Sequence, residues 1–198
     1  MKIGIIGAGQ VGQALAKKLI KAGYHIIISN SKGAESLKPF VAQFGVLAEA
    51  GSSGDAAKAD IVILAVGWLK LPKVLNELGK FLEGKIVIDV SNFFPEQGQP
   101  WILTQPTGVT VAELIPQSKV VKAFNHLYGK WIEADPKLNG GKRVSFISGN
   151  DPEANKVVKE IISALGFAVI ELGDLNQGGP LTDVDGPLSG LNLVSFSV

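Results

Sequence analysis

Cysteine is absent from the sequence, methionine occurs once and histidine twice. Lack of cysteine excludes disulfides, thiolate metal ligands and a cysteine nucleophile together, and suits a reducing compartment. Charge is sparse as well: charged residues make up 19% and the net charge is +1. With no basic field, neither nucleic acid nor a membrane surface is expected as a partner. No apolar run reaches the roughly 18 residues that a membrane span needs. The opening "KIGIIGAG" is interrupted by glycines after a few residues, so it reads as a buried strand rather than a signal peptide. A cytoplasmic protein is the expectation. No His-carboxylate pair is evident in the sequence, and no metal site is expected.

Glycine is abundant, at 24 copies, and apolar residues reach 46%. That balance fits strands buried on both faces and loops that approach a ligand closely. Short β-branched runs predict strands at Lys2–Ile6, His25–Ser29, Ile61–Val66, Lys85–Val90, Lys119–Ala123, Arg143–Ser148 and Ala168–Leu172. Helical spacing of apolar residues fills the intervals 10–23, 37–45, 72–82 and 152–165. Such alternation predicts an α/β fold with a doubly wound, mostly parallel sheet, the Rossmann arrangement. Residues 1–175 form the expected domain, and 176–198 a short tail that packs on it or on a dimer partner. Irregular segments are expected at 93–107 and 126–142, where loops beyond strand ends form the ligand crevice of such folds.

"GAGQVG" sets Gly7, Gly9 and Gly12 in G-x-G-x-x-G spacing between a strand and a helix. Gly7 permits the tight turn, Gly9 lets backbone approach a pyrophosphate, and Gly12 lets helix and strand pack closely. Amides of Gly9, Gln10 and Val11 then face phosphate at the positive helix end. In an NAD site a carboxylate about 20 residues beyond the glycines bonds the ribose 2′-hydroxyl. Here "SNSKG" stands at that point, and Asn30, Ser31 and Lys32 suit a 2′-phosphate instead. NADP is the expected cofactor.

The sequence resembles the NADP-dependent oxidoreductases that use the deazaflavin coenzyme F420, and the related cytosolic domain of the ferric-reducing STEAP proteins. The likeness lies in "GIIGAGQVGQALAKKL", "SNSKG", "DIVILAVGW", "KIVIDVSN" and "VVKAFNHL". It implies that Ala8, Gly9, Gln10 and Val11 hold the pyrophosphate and that Ser31 and Lys32 hold the 2′-phosphate. Ala65, Val66 and Ala123 then flank the nicotinamide half, with Asn92, at the end of "KIVIDVSN", and Asn125 as further binding candidates. Relatives often carry Arg at the position of Lys32, Pro at that of Gly67 and a basic residue at that of Ser36. Enzymes with a similar first half often add a helical substrate domain, for which roughly 25 residues after the last strand are too few. The resemblance implies hydride transfer between NADP(H) and a deazaflavin or flavin, a reaction that needs positioning rather than a catalytic side chain. Trp68, Phe93, Phe94 and Trp101 are candidate walls for the second ring, and a homodimer is expected. His126 and Lys122 are read as structural. A flavin or ferric reductase and a non-enzymatic NADP(H) sensor are the alternatives.

Overall fold

A computed structural model describes residues 1–98 and 103–196. The chain runs β1 (Lys2–Ile6), α1 (Gln10–Lys21), β2 (His25–Ser29), α2 (Lys38–Val41) and β3 (Ala48–Ala50). It continues with α3 (Ser53–Ala57), β4 (Ile61–Leu64), α4 (Leu71–Leu82), β5 (Ile86–Asp89) and α5 (Thr107–Leu114). After β6 (Lys119–Ala123) come α6 (Gly129–Glu133), β7 (Lys137–Leu138) and the long β8 (Gly141–Gly149). The last elements are α7 (Pro152–Ala164), β9 (Ala168–Glu171), α8 (Gly179–Thr182) and β10 (Val194–Ser195).

Strand alternation splits the core into two layers. Ile3, Ile5, Ile61, Ile63 and Ile88 face α1 and α7, whose Leu15, Leu19, Val158 and Ile162 fill one cluster. Ile6, Val62, Leu64 and Val87 face the opposite way, against Ala56 of α3, Leu75 and Leu78 of α4 and Val111 of α5. The strand order is β10-β8-β6-β5-β4-β1-β2-β3. Pairing is parallel from β3 through β6, and β8 then runs antiparallel to β6. The doubly wound, mostly parallel sheet is the one expected. Its right side differs in detail: β8 also pairs with β9 in parallel and with β7 and β10 in antiparallel.

Several expected bounds change, among them the helix expected over 37–45, of which only Lys38–Val41 is α-helical, with Gly45 at a non-helical φ of 58°. β4 ends at Leu64, and Ala65 and Val66 turn away from the ladder after the Ala65 amide bonds Ile6 O at 2.8 Å. The segment 107–114 is helical despite Gly108 and its β-branched residues, and 129–133 also winds into a short helix. Trp101 and Val198 lie outside the described residues.

Candidate functional site

The strand-turn-helix at β1 and α1 carries the site. Gly7 has φ of 107°, and a Cβ there would lie 2.2 Å from Ala65 O. A Cβ on Gly12 would lie 2.0 Å from Gly7 O. Both glycines are therefore required by packing, and Gly12 lines neither cleft. Gly9 differs, because a Cβ there meets nothing within 4 Å. It caps α1 in extended conformation with no side-chain cap, so the first amides of a 12-residue helix stay free at the positive dipole end.

Two clefts open from this turn and share Gly9, Ala65, Val66 and Gly67. The first, about 570 Å³, lies on the β2 side and is walled by Gly7, Ala8, Asn30, Ser31, Lys32 and Lys70. Among the described residues no acidic one lines it: the nearest carboxylate in sequence, Glu35, is bound to Lys38 at 2.8 Å. Asn30 lines it too, although its carboxamide braces the loop. Asn30 Oδ1 accepts the Lys32 amide at 2.9 Å, and Nδ2 donates to Ser36 Oγ at 2.9 Å. The Ser36 hydroxyl in turn donates to Gly33 O at 2.7 Å. This is an Asx-type turn that fixes where Ser31 and Lys32 point. Gln13, which sequence reasoning passed over, also lines the cleft while its Nε2 donates to Ala8 O at 2.9 Å.

The second cleft, about 640 Å³, opens beyond the ends of β4, β5 and β6. Gln10, Val11, Asn92 and Asn125 line it, together with Phe94, Phe124, His126 and Tyr128. Ala123 is fully buried in the core, and Trp68 packs edge-on against Phe93 at 5.9 Å; neither lines a cleft. Phe124 has a positive φ of 60°, which turns its ring inward onto Phe167 and leaves the adjoining backbone at the cleft. The far wall is the tail segment, through Val184, Asp185, Gly186, Ser189 and Gly190.

A buried polar network holds that wall. Lys122 Nζ lies 3.2 Å from Asp89 Oδ2 and 3.4 Å from Asp183 Oδ1, and donates to Ser91 O at 2.9 Å. Asp183 also accepts the Thr107 hydroxyl at 2.6 Å and the Thr107 amide at 3.1 Å, which caps α5 from the tail. Beside it, Asn125 Nδ2 donates to Thr182 O at 2.8 Å and to Asn92 Oδ1 at 3.2 Å. Lys122 is thus an ion-paired anchor for the tail.

His126 is buried, with Nε2 3.3 Å from Val144 O and its ring against Phe146. A carbonyl can only accept, so Nε2 carries a proton. Burial, opposed in part by that hydrogen bond, pushes its pKa down to about 4. No group of three or more potential metal ligands exists among the described residues. Nor is any helix among them long and apolar enough to cross a membrane.

Residues 2–93 match the family model described as NADP oxidoreductase, coenzyme F420-dependent. A hypothetical protein of Sinorhizobium meliloti has a solved structure 40% identical to this chain, with TM-score 0.89, covering 98% of this chain and 96% of that one. A proposed F420-dependent NADP reductase of Arthrobacter sp. FB24 is 26% identical with TM-score 0.77, covering 88% of this chain and 86% of its own. Metalloreductase STEAP3 of Rattus norvegicus is 32% identical over 88% of this chain, which spans only 34% of that protein. Glycine turn, doubly wound sheet and these matches agree: over residues 2–93 the chain is similar to the NADP-dependent oxidoreductases that use coenzyme F420.

Proposed function

We propose that the protein binds NADP(H) across the glycine turn and passes hydride between its nicotinamide and a deazaflavin or flavin ring. The observation that carries this is the pair of clefts meeting at Gly9, one cationic and lined by no acid among the described residues, the other walled largely by apolar side chains and amides. Residues fit the cofactor where it can be tested: Gly9 has open space before it, and the amides at the start of α1 are free. Ser31 and Lys32 would hold the 2′-phosphate, and Gln10 and Val11 the pyrophosphate. Ala65 and Val66, shared by both clefts, would mark the passage to the nicotinamide half.

Bound NADPH supplies the hydride; the chain supplies position. Asn92 and Asn125, bonded to each other and to the tail, form a rigid polar edge for a carboxamide or ring heteroatoms. Phe94 and Tyr128 offer apolar surface for a second ring. His126 is neutral at physiological pH and already bonded to backbone, which suits a reaction without side-chain proton transfer. Steady-state NADPH oxidation with coenzyme F420, FMN, FAD and ferric chelates tests the reading. Turnover with a ring acceptor and preference for NADPH over NADH are expected. Failure of every ring acceptor would refute it.

A further inference from the structure

Lys70 is a charged residue that neither the glycine motif nor the end of β2 singles out. It sits three residues beyond Gly67 on the connection from β4 to α4, and it lines the same 570 Å³ cleft as Ser31 and Lys32. Lys32 reaches that cleft from the connection after β2, so the two cations belong to separate elements that flank it. They are the only charged side chains among the described residues that line it. Two carboxylates near lining residues in sequence are engaged elsewhere: Glu35 with Lys38, and Asp55, two residues after Ser53, with the amide and hydroxyl of Ser52 at 3.0 and 2.6 Å. Lys70 itself makes no ion pair within 4.0 Å among the described residues.

Two cations without an acid make a site for a dianion. A phosphate monoester carries about −1.5 to −2 charges at neutral pH, more than one lysine neutralises. We propose that Lys70 is a second specificity residue for the 2′-phosphate of NADP, acting with Lys32 from the opposite connection; this rests on the cofactor reading above. Because Lys70 is exposed and flexible, its contact lies at the weak end of charge-assisted bonds. An effect of about five- to tenfold in affinity follows, growing as ionic strength falls.

Titrations of NADPH and NADH into the wild type, Lys70→Met and Lys70→Arg test the inference. Lys70→Met should weaken NADPH about five- to tenfold and NADH less than about twofold, while Lys70→Arg keeps NADPH affinity. Equal weakening of both nucleotides would place Lys70 on the adenine or pyrophosphate and overturn the proposal. Unchanged NADPH affinity in Lys70→Met, with a wild type that prefers NADPH, would overturn it while leaving the cofactor reading intact. A wild type without that preference would remove the cofactor reading, and this inference with it.

Discussion

Gly9 and Gly12 stand three residues apart in one motif, and the structure separates what a side chain would do at each. At Gly9 the backbone is extended, at φ −74° and ψ −170°, so any residue can adopt it, and an added Cβ enters open space. Gly9→Val should therefore fold. Its cost as a poorer helix cap is about 1 kcal/mol or less, equal to about 2–4 °C in Tm for a chain of this size. Its methyls would project where the proposed pyrophosphate reaches the amides of α1. Losing two charge-assisted bonds of about 1.5–3 kcal/mol each weakens binding roughly 10²- to 10⁴-fold. Gly12→Ala behaves oppositely, since its Cβ would sit 2.0 Å from Gly7 O and 3.3 Å from Ala65 Cβ. Backbone must separate there, at a cost of about 1–3 kcal/mol or more and a correspondingly lower Tm. Thermal melts beside NADPH fluorescence titrations read both effects. Gly9→Val binding NADPH like the wild type would refute the placement of the pyrophosphate. Gly9→Val melting as low as Gly12→Ala would refute the separation of roles.

Three further outcomes follow from named contacts. Lys32→Ala should weaken NADPH about tenfold and leave NADH nearly unchanged, as read by the same titrations. Lys122→Met leaves Asp89 and Asp183 buried without their cation, which costs about 3–5 kcal/mol; thermal melting should show a drop of about 6–20 °C. For His126, the unfolded imidazole takes up a proton below its ordinary pKa of 6.5, whereas the folded one does so only near 4. Its contribution to stability is thus constant above about pH 6.5 and is lost as pH falls toward 4, by up to the order of 3 kcal/mol. Urea midpoints at about pH 7.5 and pH 4.5 should diverge less in His126→Gln than in the wild type.

Much of the fold is legible because its strands are Ile- and Val-rich runs buried on both faces. The expected bounds Lys2–Ile6, His25–Ser29 and Lys119–Ala123 coincide with β1, β2 and β6. β3 escapes because Ala-Glu-Ala has no β-branched residue, and pairing with β2 creates it. α3 is short, yet its Ser52–Asp55 capping box is a signal that could have located it. α5 is not legible locally: its first amide is capped by Asp183, 76 residues away. In the site, motif spacing brings Gly7, Gly9, Ser31 and Lys32 to one groove. Lys70 and the wall at 184–190 depend on which loops the sheet order places together, and no local pattern encodes that. Trp68, a candidate wall in the sequence, packs edge-on against Phe93 and lines neither cleft, a placement that depends on tertiary packing.

Direct hydride transfer is the central claim, and a single-turnover experiment tests it most closely. Enzyme loaded with NADPH deuterated at the transferred C4 position is mixed anaerobically with oxidised coenzyme F420, and reduced product is examined by mass spectrometry. Carbon 5 of a deazaflavin accepts the deuteride and holds the resulting C–D bond against solvent exchange. One deuterium in the reduced coenzyme, formed at the rate at which NADPH is consumed, is the predicted result. Reduced coenzyme without deuterium, or NADPH left unconsumed with coenzyme F420 and with FMN and FAD alike, would contradict the account.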